Sequence, residues 1–465
     1  MDNRTLKKPY IEFVGANASE VTGSANLIRY LNYHILVDYG LRQTSNEIED
    51  YTFNLKRHKS IKPKCLDAIF LTHLHIDHCG LVPKLYKEGC SCDLYIPDGT
   101  KGLLTVMWQD SLKIFHQDYE RFDRKPLYEQ CDIDKALSHV KEYRLHEPTR
   151  VNENISFISL NAQHIVKSRQ LYFMFNDGVN KKTVGFTGDI SDYKDRYWLD
   201  TMERLPYCDI LVAECTYGNY KRMHKERDRK TDTNKLDTAI KYAKQHGSKV
   251  IIPTFSLNRL QDILATLYEM YEGNCPLKIV VDAPLGHKIS NLWRELIDKN
   301  HDLWDKISRW TRIYWVKDFA QSEAFNRLNQ PLIIIAGGGM ASGGRSTYWC
   351  KERLSDPNSY IVFTGYSTPE SPAGQIKNEK TKSVKIDGKT VKNRAKIITL
   401  NSFSSHCDFN HLITYYSNAQ YNKICLVHAE QDAKNIFAKK LKDELAKNNR
   451  TSSVVAVNKN TKTYF

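Results

Sequence analysis

The segment Thr72-His73-Leu74-His75-Ile76-Asp77-His78 is the most informative stretch of this sequence. It ends a short apolar run over residues 68–72, a pattern typical of a buried strand, and a helical pattern follows over residues 81–89. Its side chains are therefore expected on a loop at a sheet edge, where functional groups are usually held. Imidazole nitrogens and a carboxylate at this spacing are suitable zinc ligands. The competing interpretation is a solvated, histidine-rich turn that binds nothing.

The composition is that of a globular protein too long for one small core. The 465 residues predict two domains. Hydrophobic residues make up 41% and charged residues 26%, which argues against a disordered chain. No apolar run reaches the ~20 residues of a membrane span, and the polar, basic start of the chain lacks the apolar segment of a secretory signal. We therefore expect a cytoplasmic protein.

The cysteines predict a reduced protein. There are 11 of them, an odd number without the regular spacing of a disulfide framework, and several stand within apolar runs. Cys90 and Cys92 form a C-x-C pair, but no second pair matches it, which argues against a structural zinc site there. We expect mostly buried thiols.

The charge balance is basic, with 68 Lys and Arg against 54 Asp and Glu and a net charge of +14. Concentrated in a groove, this excess would recruit a polyanion; spread evenly, it would only favour solubility. One basic run either lines a nucleic-acid entrance or forms a solvated loop. Its cations are Lys221, Arg222, His224, Lys225, Arg227 and Arg229.

Two patterns alternate along the chain. Up to Tyr217 the sequence is typical of short strands joined by tight turns, and residues 219–235 are polar and basic, as in a linker or surface loop. From there to about residue 364, helical segments alternate with apolar strands, which predicts a parallel-sheet α/β unit with crossover helices. Strands return from Ala395, and a helix near residues 432–448 precedes a final strand.

Three further residues complete a pattern that resembles the metallo-β-lactamase superfamily. In that superfamily, ligands from separate loops join the histidine-rich segment at one sheet edge. Asp38 resembles the first motif, a carboxylate that orients the ligands, while His164 and Asp189 resemble the third motif and the bridging carboxylate of the fourth. Each residue alone is more often a turn or surface residue. Their order and their positions at predicted strand ends carry the resemblance.

The later part of the chain resembles the β-CASP branch of that superfamily, which includes the pre-mRNA 3′-end cleavage nucleases, RNase J and the DNA-repair nuclease Artemis. The resemblance implies an α/β protein: a metallo-β-lactamase αββα sandwich with an inserted parallel-sheet α/β β-CASP domain. The implied divisions are residues 1–216 and 393–465 for the sandwich and 217–392 for the insertion. The three segments that carry the resemblance are Glu214-Cys-Thr-Tyr-Gly218, Ser402-Phe-Ser-Ser-His406-Cys-Asp408 and Leu426-Val-His428-Ala-Glu430.

The resemblance also implies the roles of individual residues. His406 is the implied general acid, with Glu214 holding it, so that Asp189, Glu214 and His406 are the expected catalytic residues. Cys215 and Cys407 follow two of these residues directly, and core packing is the favoured interpretation of both. Two zinc ions are implied, one on His73, His75 and His164, the other on Asp77, His78 and His428, with Asp189 bridging.

The implied function is that of a zinc-dependent ribonuclease acting in RNA processing or decay, which leaves 5′-phosphate and 3′-hydroxyl ends. RNA-directed β-CASP members carry histidine where this chain has His428, whereas DNA-repair members carry valine. The alternatives are a DNA nuclease of the same branch and a scaffold subunit of an RNA cleavage complex, a class that has lost several ligands retained here. We expect single-stranded RNA as the partner and no membrane partner. A homodimer is compatible with the sequence, which decides neither oligomeric state nor internal versus 5′-exonucleolytic cleavage.

A glycine-rich segment in the implied β-CASP domain is expected to contact RNA phosphates. Residues 333–345 run from a predicted strand through a glycine-rich loop towards a predicted helix, and backbone N–H groups in such a loop can approach an anion. The alternative is a tight turn without a ligand. The expected phosphate contacts are Arg259, Ser342 and Arg345. Two departures from the family pattern, Asn258 and Ala429 where glycine is usual, leave loop geometry open.

Overall fold

The structure, a computed structural model, describes residues 8–193, 197–219 and 228–465. The chain divides into two compact units. The first draws on Met1–Asp195, Leu199–His224 and Ser405–Phe465, and the second on Arg196–Trp198 and Lys225–Ser404. In the described parts of the chain, no helix combines the length and the apolar character needed to cross a membrane.

The first unit contains a seven-stranded sheet in which the strand order is β22-β1-β2-β3-β4-β5-β6. The strands β3, β4, β5 and β6 run parallel to one another, so their carboxyl ends lie along one edge. In chain order the strands are β1 (Tyr10–Phe13), β2 (Asn26–Tyr30), β3 (Tyr33–Val37), β4 (Ala68–Phe70), β5 (Asp93–Pro97), β6 (Val140–Tyr143) and β22 (Lys462–Tyr464).

A second seven-stranded sheet packs against the first, in the order β21-β20-β11-β10-β9-β8-β7. Its central strands β10, β11 and β20 are mutually parallel, which places their carboxyl ends at one edge. The strands are β7 (Thr149–Arg150), β8 (Ile155–Asn161), β9 (Arg169–Asn176), β10 (Lys181–Phe186), β11 (Cys208–Glu214), β20 (Tyr421–Val427) and β21 (Ser453–Ala456).

Aromatic side chains fill the space between these two sheets. The Phe70 ring lies edge-on to Phe157 and Phe173, with centroids 5.0 Å apart in both pairs. Strand β11 alternates between two cores, since Ile210 and Val212 belong to the inter-sheet cluster. Leu211, Ala213 and their neighbours instead pack against helices on the outer face. This alternation is what a sheet covered on both sides requires.

The helices of the first unit support the loops at the strand ends. The long helix α4 was not predicted from the sequence, although its buried residues Leu104, Trp108 and Leu112 recur at intervals of four. The Trp108 indole donates to the Cys79 carbonyl at 3.0 Å, which fastens α4 to α2. The helices are α1 (Glu47–Leu55), α2 (Ile76–Cys79), α3 (Val82–Lys87), α4 (Lys101–Phe122), α5 (Gln130–Ser138), α13 (Phe409–Ser417) and α14 (Gln431–Lys447).

The second unit is built on a six-stranded sheet in the order β14-β13-β15-β12-β16-β19. Every pairing in this sheet is parallel, which confirms the parallel α/β unit expected from the sequence. Its strands are β12 (Lys249–Thr254), β13 (Lys278–Asp282), β14 (Ile313–Trp315), β15 (Leu332–Gly337), β16 (Tyr360–Phe363) and β19 (Lys396–Thr399), and a separate hairpin contains β17 (Ser383–Ile386) and β18 (Lys389–Lys392).

Helices connect the strands of this sheet. Strand β19 follows the residue 392/393 boundary expected from the sequence, yet it pairs with β16 in the second unit. The helices are α6 (Arg229–His246), α7 (Arg259–Met270), α8 (Pro284–Leu296), α9 (His301–Ser308), α10 (Phe319–Arg327), α11 (Arg345–Arg353) and α12 (Pro372–Lys377).

Candidate metal centre

Seven acidic and imidazole side chains converge at the strand ends of the first unit. They form two groups, and within each group the ligand atoms lie within 4.8 Å of one another. All of them are buried except the half-buried His75 and Asp77. The first group is His73, His75, His164 and Asp189, and the second is Asp77, His78 and His428.

The residues that follow β3 pack against the histidine-rich loop and hold it in place. The Tyr39 amide donates to the His78 carbonyl at 2.8 Å, and the chains run so close that a Cβ on Gly40 would lie 1.7 Å from the Asp77 carbonyl oxygen. Only glycine fits at that point. The one-turn helix α2 then begins directly after His75 and carries Asp77 and His78. The loop is thus a rigid platform for ligands.

The carboxylate of Asp189 lies between the two histidine groups. Its Oδ2 lies 3.7 Å from His73 Nε2 and 3.6 Å from His164 Nε2. Its Oδ1 lies 3.5 Å from both His78 Nε2 and His428 Nε2. Each carboxylate oxygen therefore faces a different pair of imidazole nitrogens, which is the arrangement of a carboxylate shared between two cations.

The buried polar atoms of this cluster fit a metal better than they fit one another. His73 Nε2 and Asp189 Oδ1 are buried and have no hydrogen-bond partner among the described residues, an arrangement that is costly unless a cation completes it. A tetrahedral ion with bonds of ~2.1 Å holds its ligand atoms ~3.4 Å apart. The His78 and His428 Nε2 atoms are 3.4 Å apart, and Asp77 Oδ2 is 3.4 Å from His428 Nε2.

Hydrogen bonds through Nδ1 aim three of the rings. The Nδ1–H of His78 donates to Asp38 Oδ2 at 2.8 Å, and that of His164 donates to the Ser405 carbonyl at 2.7 Å. His428 Nδ1 lies 2.9 Å from the Thr216 hydroxyl. The contacts of His78 and His164 fix the tautomer that leaves Nε2 for a metal, because a carboxylate and a carbonyl can only accept. His75 differs, because its Nδ1 faces the cluster, 3.0 Å from His164 Nε2.

Asp38 does more than orient His78. One of its oxygens accepts from the Thr72 amide at 2.8 Å, and the other accepts from the Thr72 hydroxyl at 2.9 Å. The carboxylate therefore joins the end of β3 to the end of β4. Its backbone has φ 61°, a left-handed conformation that aspartate tolerates better than most residues and that often marks functional sites.

The two departures from glycine differ in their backbone conformation. Ala429 does not require a left-handed backbone, because the positive φ of that loop, 61°, falls on His428. Asn258 has φ 67° and ψ −48° and is the centre of a γ-turn, across which the Arg259 amide donates to the Leu257 carbonyl at 2.8 Å. This conformation is strained for residues other than glycine.

The electrostatics of the cluster follow from burial and from its carboxylates. Burial lowers the pKa of His75 to about 4 and holds the pKa values of His73 and His164 well below their usual range, so these rings are neutral and present lone pairs. Burial also acts on His78, but Asp189 and Asp38 outweigh it and raise its pKa well above the usual range. The carboxylates therefore create a strong preference for positive charge at this point.

Glu214 and His406 lie beside the metal cluster. Glu214 is buried at the end of β11, where Oε1 accepts from the Ile190 amide at 2.9 Å and lies 3.1 Å from His406 Nδ1. The His406 side chain is 18% exposed, so it can reach a substrate. Its ring centroid is 4.5 Å from that of His164. Asp189, Glu214 and His406 also have donor atoms within 4.8 Å of one another, so geometry alone permits His406 to be a ligand.

The expected phosphate contacts all belong to the second unit. Ser342 is exposed in the glycine-rich loop, and the Arg345 guanidinium lies 3.3 Å from buried Asp282 and over the Phe319 ring. The Arg259 guanidinium donates to the Thr364 carbonyl. The loop itself is tight, since a Cβ on Gly338 would lie 2.2 Å from the Gly343 carbonyl oxygen.

The cysteines and the basic run were also singled out in the sequence. All 11 cysteines are free thiols, as expected, and Cys215 and Cys407 belong to a hydrophobic core. Arg229 begins α6, and its guanidinium lies over the Phe403 ring at 4.0 Å. The remaining cations of the basic run, at residues 221–227, lie outside the described residues.

Two threonines that support the cluster were missed by the sequence analysis. Thr72 and Thr216 are buried, and their hydroxyls contact His73 Nδ1 at 3.1 Å and His428 Nδ1 at 2.9 Å. Both stand inside the segments that carried the resemblance, and that position was the only signal for them. Threonine is so common near strand ends that composition alone would not have selected either residue.

Comparison of the sequence with known proteins identifies the family of this chain. Three family models match the chain: "Metallo-beta-lactamase superfamily" at residues 19–99, "Beta-Casp domain" at 260–376 and "Zn-dependent metallo-hydrolase RNA specificity domain" at 390–452. "Ribonuclease TTHA0252" from Thermus thermophilus is 30% identical over 89% of this chain and 92% of its own. The chain belongs to the β-CASP branch of the metallo-β-lactamase superfamily.

Two further relatives of this β-CASP protein carry ribonuclease names. An "RNase J-like protein" from Methanocaldococcus jannaschii is 27% identical over 85% of this chain and 87% of its own. "Endoribonuclease ysh1" from Schizosaccharomyces pombe is 27% identical over 90% of this chain and 54% of its own. Membership of the branch confirms the expected fold and, with the histidine and aspartate clusters, a metal cofactor.

Asp38 offers a first test of how the cluster binds metal. Asp38→Asn is expected to weaken metal binding by ~10–100-fold, because the amide no longer supports the imidazole of His78 with a full negative charge. The measurement is competition with a chromogenic chelator. Asp67→Asn is the matched control, because Asp67 is an exposed carboxylate of the same unit whose Oδ2 accepts from the His34 amide at 2.7 Å. Equal metal affinity in Asp38→Asn and the wild type would assign Asp38 to loop structure alone.

Proposed function

We propose that this protein is a zinc-dependent ribonuclease that hydrolyses RNA phosphodiester bonds in RNA processing or decay and leaves 5′-phosphate and 3′-hydroxyl ends. One observation carries the proposal: the Asp189 carboxylate lies between two pairs of imidazole nitrogens, 3.5 to 3.7 Å from each. Beside it is an imidazole–carboxylate pair suited to moving a proton. Phosphodiester hydrolysis requires both a centre that offsets the phosphate charge and a group that donates a proton to the leaving oxygen.

Zinc is the metal that this donor set favours. Imidazole nitrogens with a few carboxylates suit zinc, whereas magnesium and calcium prefer oxygen ligands. We assign one ion to the group that contains His73, His75 and His164, the other to the group that contains Asp77, His78 and His428, and Asp189 to both. When bound in such a site, zinc activates water as a nucleophile and offsets the phosphate charge.

The chain's own residues supply orientation and the proton. Asp38, Thr216 and the Ser405 carbonyl hold the imidazole rings in place through their Nδ1 atoms. His406 directs Nδ1 towards Glu214, so proton transfer to the leaving 3′-oxygen would use Nε2. The buried Glu214 carboxylate holds the His406 ring in this orientation, with Oε1 3.1 Å from Nδ1. His406 is thus assigned as the general acid and Glu214 as its positioning residue.

RNA is the substrate that the relatives favour. The names of the three compared relatives specify ribonuclease, RNase J-like protein and endoribonuclease, and His428 stands where RNA-directed members carry histidine. In this structure His428 faces both Asp77 and Asp189, at 3.4 and 3.5 Å. We place the activity in the cytoplasm, where RNA and reduced thiols occur together.

The second unit contributes groups suited to a phosphate backbone. Arg345, the first residue of α11, has guanidinium donors beyond the Nε that faces Asp282, and Ser342 has an exposed hydroxyl on the preceding loop. We assign both to the RNA backbone, together with Arg259. Such contacts bind RNA of any sequence, because they involve phosphates rather than base edges.

RNA preference gives a prediction. Single-stranded RNA should be cleaved much faster than DNA of the same sequence. Its binding should also weaken with salt, by roughly 20-fold between 50 and 200 mM for about three phosphate contacts. The measurements are cleavage time courses on end-labelled strands and fluorescence anisotropy at several salt concentrations.

The Asp189→Ala variant, purified identically, measures contaminating nuclease in these assays. RNA labelled at either end, with a 5′-monophosphate or a 5′-triphosphate, separates internal cleavage from 5′-exonucleolytic cleavage. Equal rates on RNA and DNA would replace the ribonuclease assignment with that of a general or DNA-directed nuclease.

A further inference from the structure

Cys90 and Cys92 bring two thiols into contact at a place that the proposed activity does not use. Their Sγ atoms are 3.4 Å apart, and both lie in the short connection between α3 and β5. Cys90 is fully buried, whereas Cys92 is partly exposed, so one sulfur is accessible from solvent and the other is protected. Two thiols in this arrangement are able to react together.

The backbone on both sides of the pair is fixed. The Cys90 amide donates to the Leu85 carbonyl at 3.0 Å, and the Tyr86 hydroxyl donates to the Cys92 carbonyl at 2.8 Å. Gly89 makes the turn just before the pair with φ 96°, a conformation that favours glycine. The sulfurs therefore meet in an ordered turn rather than by random motion of a loose loop.

The surroundings favour loss of a proton from the pair. A hydrogen bond from Cys92 lowers the pKa of Cys90 despite its burial, and Lys135 adds to this effect. The same contact raises the pKa of Cys92. The thiolate is the reactive form of cysteine, and a contact that lowers the pKa of one thiol favours its formation within the pair.

A metal site explains the pair poorly. Thiolate sites for zinc use four ligands. In the described part of the chain, neither Cys90 nor Cys92 belongs to a group of three or more metal-binding side chains. Two thiols alone, one of them accessible, are instead typical of a dithiol that is oxidised reversibly.

We propose that Cys90 and Cys92 form a redox-active dithiol that hydroperoxides convert to an intramolecular disulfide. The accessible Cys92 thiol loses its proton, and its sulfur attacks one oxygen of hydrogen peroxide, the simplest hydroperoxide. An S–O bond forms, the O–O bond breaks, and the departing hydroxide takes up the proton from Cys92 and leaves as water, so that Cys92 becomes a sulfenic acid. The Cys90 sulfur then attacks the sulfenic sulfur, forms the S–S bond and expels a hydroxide, which leaves as a second water with the proton from Cys90. Two electrons pass from the two thiols to the peroxide. Closure moves the sulfurs from 3.4 Å to the ~2.05 Å of a disulfide.

The test uses the reduced full-length protein with equimolar hydrogen peroxide. Remaining thiols are then blocked with iodoacetamide, and the digested protein is analysed by mass spectrometry. The expected product is a peptide that contains both Cys90 and Cys92, two hydrogen masses lighter and without alkylation, and dithiothreitol should reverse the change. A trivalent arsenical, phenylarsine oxide, should protect both thiols from alkylation, because it bridges neighbouring dithiols.

Matched variants make the outcome specific. Cys92→Ser should lose both the disulfide and the arsenical protection, whereas Cys131→Ser, which removes an exposed cysteine outside the pair, should retain both. The proposal is overturned if Cys90 and Cys92 stay alkylated under conditions that oxidise Cys65 or Cys131. It is equally overturned if Cys90 forms its disulfide with another cysteine. Neither readout depends on RNA cleavage, so this test stands apart from the proposed function.

Discussion

Asp189→Ala is expected to remove bound metal and reduce RNA cleavage to background. The substitution deletes the carboxylate whose two oxygens face His73 and His164 on one side and His78 and His428 on the other. No other described carboxylate faces both groups, so each would lose an anionic ligand at once. The measurements are elemental analysis of protein purified without chelator, where the wild type should contain about two zinc ions per chain, and cleavage of end-labelled RNA.

The control for this variant is Asp134→Ala, which removes an exposed carboxylate on α5 that interacts with Gln130. It should keep full metal content and full activity. Thermal unfolding of both variants separates loss of metal from loss of fold. An Asp189→Ala protein with full metal content and full cleavage would show that the active metal site lies elsewhere.

His406→Ala is expected to lower the rate of RNA cleavage by ~10²–10⁴, the usual contribution of general acid catalysis. Metal content should be unchanged, because seven other side chains supply the ligands. RNA binding should also persist, since the assigned phosphate contacts lie in the second unit. Glu214→Gln should cause a smaller loss, because the amide oxygen can still orient the His406 ring without the charge of the carboxylate. The measurements are metal content, RNA affinity and single-turnover cleavage rates.

A modified substrate distinguishes proton donation from other roles of His406. An RNA with sulfur at the 3′-bridging position has a leaving group that needs no proton, so it should largely restore cleavage by His406→Ala. His428→Ala is the matched comparison: it should lose metal and gain nothing from the sulfur substrate. Because His406 lies close enough to Asp189 and Glu214 to act as a ligand, loss of metal in His406→Ala would reassign it. Absence of rescue would make it a phosphate contact instead.

Much of the fold could be predicted because its signals are local. The apolar run before the histidine-rich loop forms β4, and the alternating helices and strands after α6 form a wholly parallel sheet. The long helix α4 was missed although Leu104, Trp108 and Leu112 lie on one helical face. Its exposed residues include Ile114, Tyr119 and Phe122, so the contrast between an apolar and a polar face is weak and the helical pattern is hard to recognise in the sequence.

The candidate site was predicted less completely than the fold. Residue types and strand-end positions pointed to the ligands, because a parallel sheet collects the carboxyl ends of its strands at one edge. The partners that aim the rings could not be predicted in this way. His164 donates to the carbonyl of Ser405, 241 residues away, and His428 contacts Thr216, 212 residues away. Nothing local in the sequence records such contacts, since a backbone carbonyl is present at every residue.

By itself the sequence determined which chemical groups stand at the ends of which strands, and these motifs carried the resemblance to the family and the expectation of a metal cofactor. These properties depend on residue type, on hydrophobic periodicity and on strand order, all of which are written along the chain. Only the tertiary structure decided that Asp189 faces two pairs of imidazoles, that Glu214 holds His406, and that the sulfurs of Cys90 and Cys92 are 3.4 Å apart. Those distances arise when packing fixes the side chains of segments far apart in the chain, or folds a turn tightly, and no periodicity encodes them.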